Sequence, residues 1–255
     1  MDHIDTIREE FTRQAGHFNT YQQHSAKEQE SFRTLTALYL NGKERVLEVA
    51  AGTCSFGRMI APLVAEVVEL DATKAMLEAG VKENERLGIR NISYEIGLAE
   101  ALPFGDETFD IVLCRLAFHH FTNGLPVMHE MSRVLKPGGK MAIIDVVPYD
   151  EASHAPLEKY EKMRDASHVR FLPEDEFNSL LEQCSLSPCW SHKADIELTL
   201  QSWLKHTQPD SEVYESVVTA VNADLSGGAS TGMFPFEKDG QTYIKHCWLE
   251  LIAQK

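Results

Sequence analysis

Between residues 45 and 147, short apolar runs alternate with stretches of helical period, and this alternation constrains the fold more than any other feature. The runs RVLEVA (45–50), VVELD (67–71), ISYEI (92–96), FDIVLC (109–114) and KMAIIDVV (140–147) read as strands. Between them lie three helical stretches. GRMIAPLVAEV carries Pro62 near its start, TKAMLEAGVKENERLG stops near Gly88, and a helix from about Leu125 puts Val127, Met128, Met131, Val134 and Leu135 on one face. The KPGG that follows stops this helix and turns into the fifth strand. Strands joined by helices of this length predict an α/β fold whose parallel sheet has right-handed crossovers.

The flanks read differently. Residues 1–41 predict an N-terminal helical cap, with Ile4, Ile7 and Phe11 on one face and Phe32, Leu35 and Tyr39 on another. AGHFNTYQQH between them reads as an aromatic and polar loop. After Val147 the pattern loosens: 148–172 is polar and reads as an irregular, lid-like loop. PEDEFNSLLEQCSL is then a clear helix with acids in its first turn. ADIELTL (194–200) and TYIKHCWLELIAQ (242–254) read as two further strands, separated by an insertion over 200–240. Within it Tyr214, Phe234 and Phe236 are expected to form a small core with Trp203. Residues 42–255 are thus read as one domain with embellishments.

A domain of 255 residues buries roughly three quarters of its unfolded surface and needs no disulfide or metal. The net charge of −15 argues against a nucleic-acid partner and against charge-based hold on an anionic membrane. Five scattered cysteines (54, 114, 184, 189, 247) form neither a CxxC pair nor a zinc pattern, which predicts a reduced, cytoplasmic setting and no metal. MDHIDTIREEF is not a signal peptide, and no apolar run approaches the ~20 residues of a membrane span, so no stable membrane insertion is expected. A monomer and a homodimer are both compatible with the sequence.

The loop between the first strand and helix, VLEVAAGTCSFG (46–57), lies where an adenosine cofactor meets such a sheet. As a dinucleotide fingerprint it is poor, with Ala50 and Cys54 flanking Gly52 where glycines would stand. An acid, Glu48, ends the strand; it would repel a pyrophosphate and welcome an ammonium group.

With VVELDATKAML, AEALPFGDETFDIVLCRLAFHHF and RVLKPGGKMAIID following in order, the chain resembles class I S-adenosyl-L-methionine (SAM) methyltransferases, including the ubiquinone/menaquinone-biosynthesis C-methyltransferases. The resemblance implies a Rossmann-like seven-stranded sheet with helices on both faces, SAM as cofactor and a small-molecule methyl acceptor. It implies that Glu48 anchors the methionine end, that Ala50 and Gly52 form the loop, and that Asp71 accepts from the ribose hydroxyls. Ala72 and Met76 would line the adenine, the Ala99 amide would bond it, and backbone at Arg115 would meet the methionine amine. Leu98 stands where relatives have Asp or Asn. An aromatic of HFNTY, Phe18 or Tyr21, would close over the sulfonium.

Histidines in FHHF follow the fourth strand, where acceptors approach. His119 is the first candidate for a general base and His168 the second, with His120 assigned to the substrate. RDASHVRF (164–171) resembles segments that cover substrate pockets in small-molecule relatives, so Arg164 and Arg170 are candidates for a substrate anion or carbonyl. Two rival readings remain. One is a SAM-binding protein without catalysis. The other is an NAD-dependent oxidoreductase, in which Asp71, 19 residues past Gly52, would also suit ribose.

Overall fold

The computed structural model describes residues 2–22 and 27–255, and the side chains of all of these except 17, 19–22 and 27–31. The sheet runs β3 (Ile92–Ile96), β2 (Glu66–Asp71), β1 (Arg45–Val49), β4 (Phe109–Arg115), β5 (Leu135–Val147), β8 (Gln241–Gln254) and β6 (Ser187–Thr199). The first five are parallel, and β8 enters antiparallel between β5 and β6. Instead of seven strands there are eight among the described residues. The additional one, β7 (Phe236–Lys238), is a three-residue hairpin partner of β8 at the end of the insertion.

Strand order reverses between β1 and β4, which opens a crevice at their carboxyl ends. The central strands are buried on both faces, and their residues divide by parity. Leu47, Val49, Val112 and Met141 pack with α5 (Gly124–Val134) and α7 (Glu174–Gln183). Val46, Ile111, Leu113 and Ala142 face the other way, toward α3 (Ser55–Ile60), α6 (Glu151–Arg164), α8 (Leu200–Thr207) and α9 (Ser211–Leu225). Each large apolar side chain fully buried in these layers contributes about 1.5–3 kcal/mol. The first linking helix is shorter than its sequence suggests: α3 ends at Ile60, and Pro62 lies in a 3₁₀ turn over Ala61–Leu63. Helix α4 (Lys74–Leu87) ends at Gly88 in the left-handed region.

Two segments depart from the sequence reading. Helix α1 (His3–Gln22) runs on through most of the stretch read as a loop and is followed by α2 (Lys27–Ala37). The lid-like stretch is largely helical: α6 spans Glu151–Arg164, started by a capping box in which Asp150 accepts from the Ser153 amide at 2.7 Å. Its inward residues are Ser153, Leu157 and Glu161, a serine and an acid beside one leucine. Such a face leaves no apolar period to read. Residues 148–150 and 165–173 remain irregular.

A buried ion pair fixes the end of α6. Arg164 donates twice to one oxygen of Glu161, at 3.1 and 2.5 Å, and lies 4.4 Å over the Trp203 ring. Trp203 Nε1 donates to the other oxygen at 3.2 Å. Burial alone would raise the Glu161 carboxyl, but Arg164, His246 and His168 hold it down at about 2. Arg164→Ala should therefore cost about 3 kcal/mol, because it strands a buried carboxylate. In a thermal melt that is a drop of roughly 6–12 °C. A change under 2 °C would show that the pair carries little of the fold's stability.

Candidate active site

A cavity of about 620 Å³ opens at the reversal point, within the range of small-molecule and cofactor sites. Helix α1 roofs it with Ile4, Ile7, Phe11, Gln14 and Phe18, whose three- and four-residue spacing puts them on one face. The roof is tied down at both ends. Arg8 donates to the Ala72 carbonyl, Arg13 to the Thr207 carbonyl at 2.7 Å, and His3 Nε2 meets the His120 carbonyl at 2.8 Å.

The floor at one end is the loop after β1. Ala50, Gly52 and Cys54 all take left-handed φ, at 56°, 55° and 59°. Two of these positions carry side chains, which costs roughly 1–2 kcal/mol per residue in this region. Hydrogen bonds hold the shape: Ala51 N donates to Leu70 O, Cys54 N to Ala51 O, and Gly52 N to Asp71 Oδ2 at 2.7 Å. A Cβ on Gly52 would meet Met76 Cε at 3.5 Å and Phe18 at 4.0 Å, so this glycine keeps the cavity floor open. Cys54 is wholly buried and burial pushes its thiol up, so it fills space rather than acting as a nucleophile.

Asp71 ends β2 at the same place. Its second oxygen accepts from Thr73 N at 2.8 Å, so the carboxylate is fixed while lone pairs remain on both oxygens. Burial raises its pKa, against those backbone donors. Glu48 also lines the cavity and accepts from Gly57 N at 2.8 Å. That amide belongs to the first turn of α3, where a dinucleotide would seat its pyrophosphate. The chain's own carboxylate fills that anion site, which argues against the NAD reading.

Around the rest of the cavity, Ala72, Met76, Ala99 and Arg115 line the wall, as does Leu98. The Arg115 guanidinium lies near the Phe56 and Trp248 rings, at 5.9 and 5.4 Å. The Tyr21 side chain lies outside the described residues.

At the far end stands His119. Its Nδ1 meets Asp145 Oδ1 at 2.5 Å, and Asp145 lies within the buried part of β5 with 1% of its surface exposed. Burial disfavours the imidazolium, but the Asp145 charge and hydrogen bond outweigh it, and the His119 pKa is raised. With Nδ1 committed, Nε2 is the atom left to take a proton. His120 also lines the cavity, yet burial and the neighbouring His119 push its pKa to about 4, so its ring is neutral. Its Nδ1 faces Ser167 O at 3.1 Å, and Ser167 donates to Asp165 at 2.5 Å.

Three sequence assignments fail here. His168 does not line the cavity: its side chain is 1% exposed and its Nε2 is held by Glu158 at 3.2 Å. Arg170 points away and forms a surface ion pair with Glu176, at 2.6 Å. Arg164 lines the cavity, but its fork is occupied by Glu161 and the Trp203 carbonyl. Trp203, expected in the insertion's own core, is a cavity wall. Conversely, sequence reasoning missed Asp145, Gln14 and Glu161. Asp145 had a signal, an acid inside an otherwise apolar run; Gln14 and Glu161 sit on helices where nothing marks them.

Comparison with known proteins fits this geometry. Residues 47–143 match the family model described as "Methyltransferase domain". A Bacillus subtilis protein named as an uncharacterized methyltransferase, YcgJ, is 29% identical over 213 residues, 83% of this chain and 84% of that one. Its crystal structure superposes with a TM-score of 0.81, covering 89% of this chain and 98% of the other at 25% identity. The structure of a putative methyltransferase from Bacillus halodurans gives a TM-score of 0.80 at 27% identity, covering 89% and 99%. The ubiquinone/menaquinone C-methyltransferase UbiE of Coxiella burnetii is 32% identical over 167 residues, 60% of this chain and 64% of that one. The chain belongs to the class I methyltransferases. Its cofactor is SAM, and the residues present fit it: a fixed carboxylate at the end of β2 for a diol, a loop open at Gly52, and a buried acid for an ammonium group. Among the described residues no helix is long and apolar enough to cross a membrane.

Proposed function

We propose that the chain methylates a small-molecule acceptor bound at the His119 end of the cavity, with the cofactor's ribose at Asp71 and its methionine end at Glu48. The observation that carries this reading is that the His119–Asp145 pair opens into the same cavity as Asp71 and Glu48. When bound, SAM supplies a methyl group already activated on a sulfonium. The chain's part is to exclude water, align the acceptor and remove its proton. Helix α1 does the first, with Phe11 and Phe18 over the opening. Phe171, Trp203 and Trp248 give the acceptor an aromatic wall. His119 Nε2 takes the proton while Asp145 holds the ring and stabilises the imidazolium. Such a pair is superfluous in a protein that binds SAM without turnover. The five cysteines, none in a disulfide, suit a reducing, cytoplasmic setting.

The test is transfer of labelled methyl from SAM to a panel of phenols, other hydroxylated compounds, amines and activated carbon acids. Transfer to one class that is lost in His119→Ala supports the reading. SAM binding with no transfer to any class would favour binding without catalysis.

Gln14 gives a second check. It is 1% exposed, it lines the cavity, and its Nε2 has no hydrogen-bond partner. A buried donor of this kind waits for a ligand acceptor. Gln14→Leu should raise the stability of the ligand-free protein by about 1 kcal/mol and lower kcat/KM roughly tenfold. An unchanged kcat/KM would mean that the amide meets no ligand.

A further inference from the structure

Beneath the cofactor loop lies a second acid that the chemistry above does not use. Glu69 on β2 stands opposite Glu48 on β1 in the parallel register, so both side chains rise on one face of the sheet. It is wholly buried, and neither of its oxygens accepts a hydrogen bond from a nitrogen or hydroxyl donor. Its one polar partner is the Glu48 carboxyl. The two carboxyls converge over α3: a Cβ on Gly57 would stand 1.5 Å from Glu69 Oε1 and 3.1 Å from Glu48 Oε2.

Charged and titratable groups face the pair from α3, β4, the loop after β1 and the end of β2. Arg58 of α3 donates to Asn84 and to the Thr53 carbonyl, so it acts on the two acids only through space. Arg115 of β4 favours the ionised form of Glu48. Cys54 and Asp71 face the pair from the loop and the end of β2, and Tyr94 of β3 bonds Asn84 at 2.8 Å. Among the described residues no cationic side chain forms a hydrogen bond with Glu69. Two carboxylates cannot share such a space as anions, so one proton must lie between them. Glu48 is the ionised member, since it accepts from Gly57 N and has Arg115 nearby. Glu69 is the acid, kept protonated by burial and by the Glu48 charge.

We infer that Glu69 is a positioning residue: as a neutral carboxylic acid it donates to Glu48 and fixes that carboxylate toward the ammonium end of the cofactor. With Gly57 N and Glu69 both donating to it, Glu48 has one orientation, and its remaining lone pairs face the cavity. Gly57 is required for the same reason, because any side chain there would displace the pair. The inference rests on the cofactor placement proposed above, but its first test does not.

That test is infrared spectroscopy of the ligand-free protein at pH 8, where solvent-exposed carboxyls are ionised. The expected result is a carbonyl stretch of a protonated carboxylic acid, lost in Glu69→Gln and kept in Asp145→Asn. The second readout is S-adenosylhomocysteine affinity by calorimetry. Glu69→Gln keeps a donor and should bind within about threefold of the parent. Glu69→Leu removes a bond to a charged group, which is worth roughly a ten- to hundredfold loss. If Glu69→Leu does not fold, the infrared band and the Glu69→Gln titration still decide. No protonated-acid band, or Glu69→Leu binding like the parent, overturns the inference. Failure of the parent to bind S-adenosylhomocysteine, with the band present, would count instead against the cofactor placement.

Discussion

Replacing Asp71 with alanine is expected to weaken S-adenosylhomocysteine binding at least a hundredfold. The carboxylate is the group at the end of β2 that offers two acceptors to a vicinal diol, and each bond to a charged acceptor is worth about 1.5–3 kcal/mol. Two such bonds lost give 3 kcal/mol or more, which is about a hundredfold in Kd. The substitution also frees Gly52 N and Thr73 N, so the loop that Asp71 braces loses its anchor. Titration calorimetry measures this directly. A loss below fivefold would mean that the ribose does not meet Asp71.

The second large effect belongs to His119. His119→Ala should lower kcat roughly 10²–10⁴-fold, the usual contribution of a positioned base, and leave S-adenosylhomocysteine affinity nearly unchanged. The pH profile gives the sign. A base works deprotonated, so kcat/KM should rise with pH through the His119 pKa. The Asp145 charge lifts that pKa above the ordinary histidine value of about 6.5, against burial. In Asp145→Asn the lifting charge is gone and burial remains, so the rising limb should move to lower pH while its plateau falls. Stability is linked in the same way. Because the folded pKa of His119 is raised, its pairing with Asp145 contributes stability in full below about pH 6.5 and loses it as pH climbs through the folded value. A limb at the same pH in parent and Asp145→Asn would remove His119 from the role of base.

Much of the fold was legible because the central strands are buried on both faces and leave continuous apolar runs, as VLEV and IVLC do. The edge was less so. Strand β6 begins at Ser187, seven residues before its apolar part, because SPCWSHK lies on an edge where polar side chains meet solvent. Helix α6 was hidden for a different reason. Its buried face pairs Glu161 with Arg164 and Trp203, so what faces inward there is charge, which a hydrophobic period does not detect. Helix α1 was read as broken at its end because Gly16 and the polar run after it look like a loop, whereas the helix continues and roofs the cavity.

The site divides along the same line. Glu48, Gly52 and Asp71 sit at strand ends whose spacing is fixed by the sheet, so their convergence could be read in advance. His119 could be named but its partner could not, because Asp145 lies 26 residues on and arrives through the pairing of β4 with β5. RDASHVRF promised two arginines for a substrate. Glu161, three residues before Arg164 on α6, and Glu176, six residues after Arg170 on α7, pair with them instead, and the first pair shows only once residues 151–164 are known to be helical.

The proposed placement seats the cofactor at Asp71 and Glu48 in one cavity, with its reacting end toward His119. A crystal structure with S-adenosylhomocysteine tests it most directly. The predicted result is ribose hydroxyls within hydrogen-bond distance of both Asp71 oxygens, the homocysteine amine at Glu48, and the thioether sulfur facing the His119 ring. A ligand whose ribose rests on other groups, or whose sulfur turns away from His119, would contradict it.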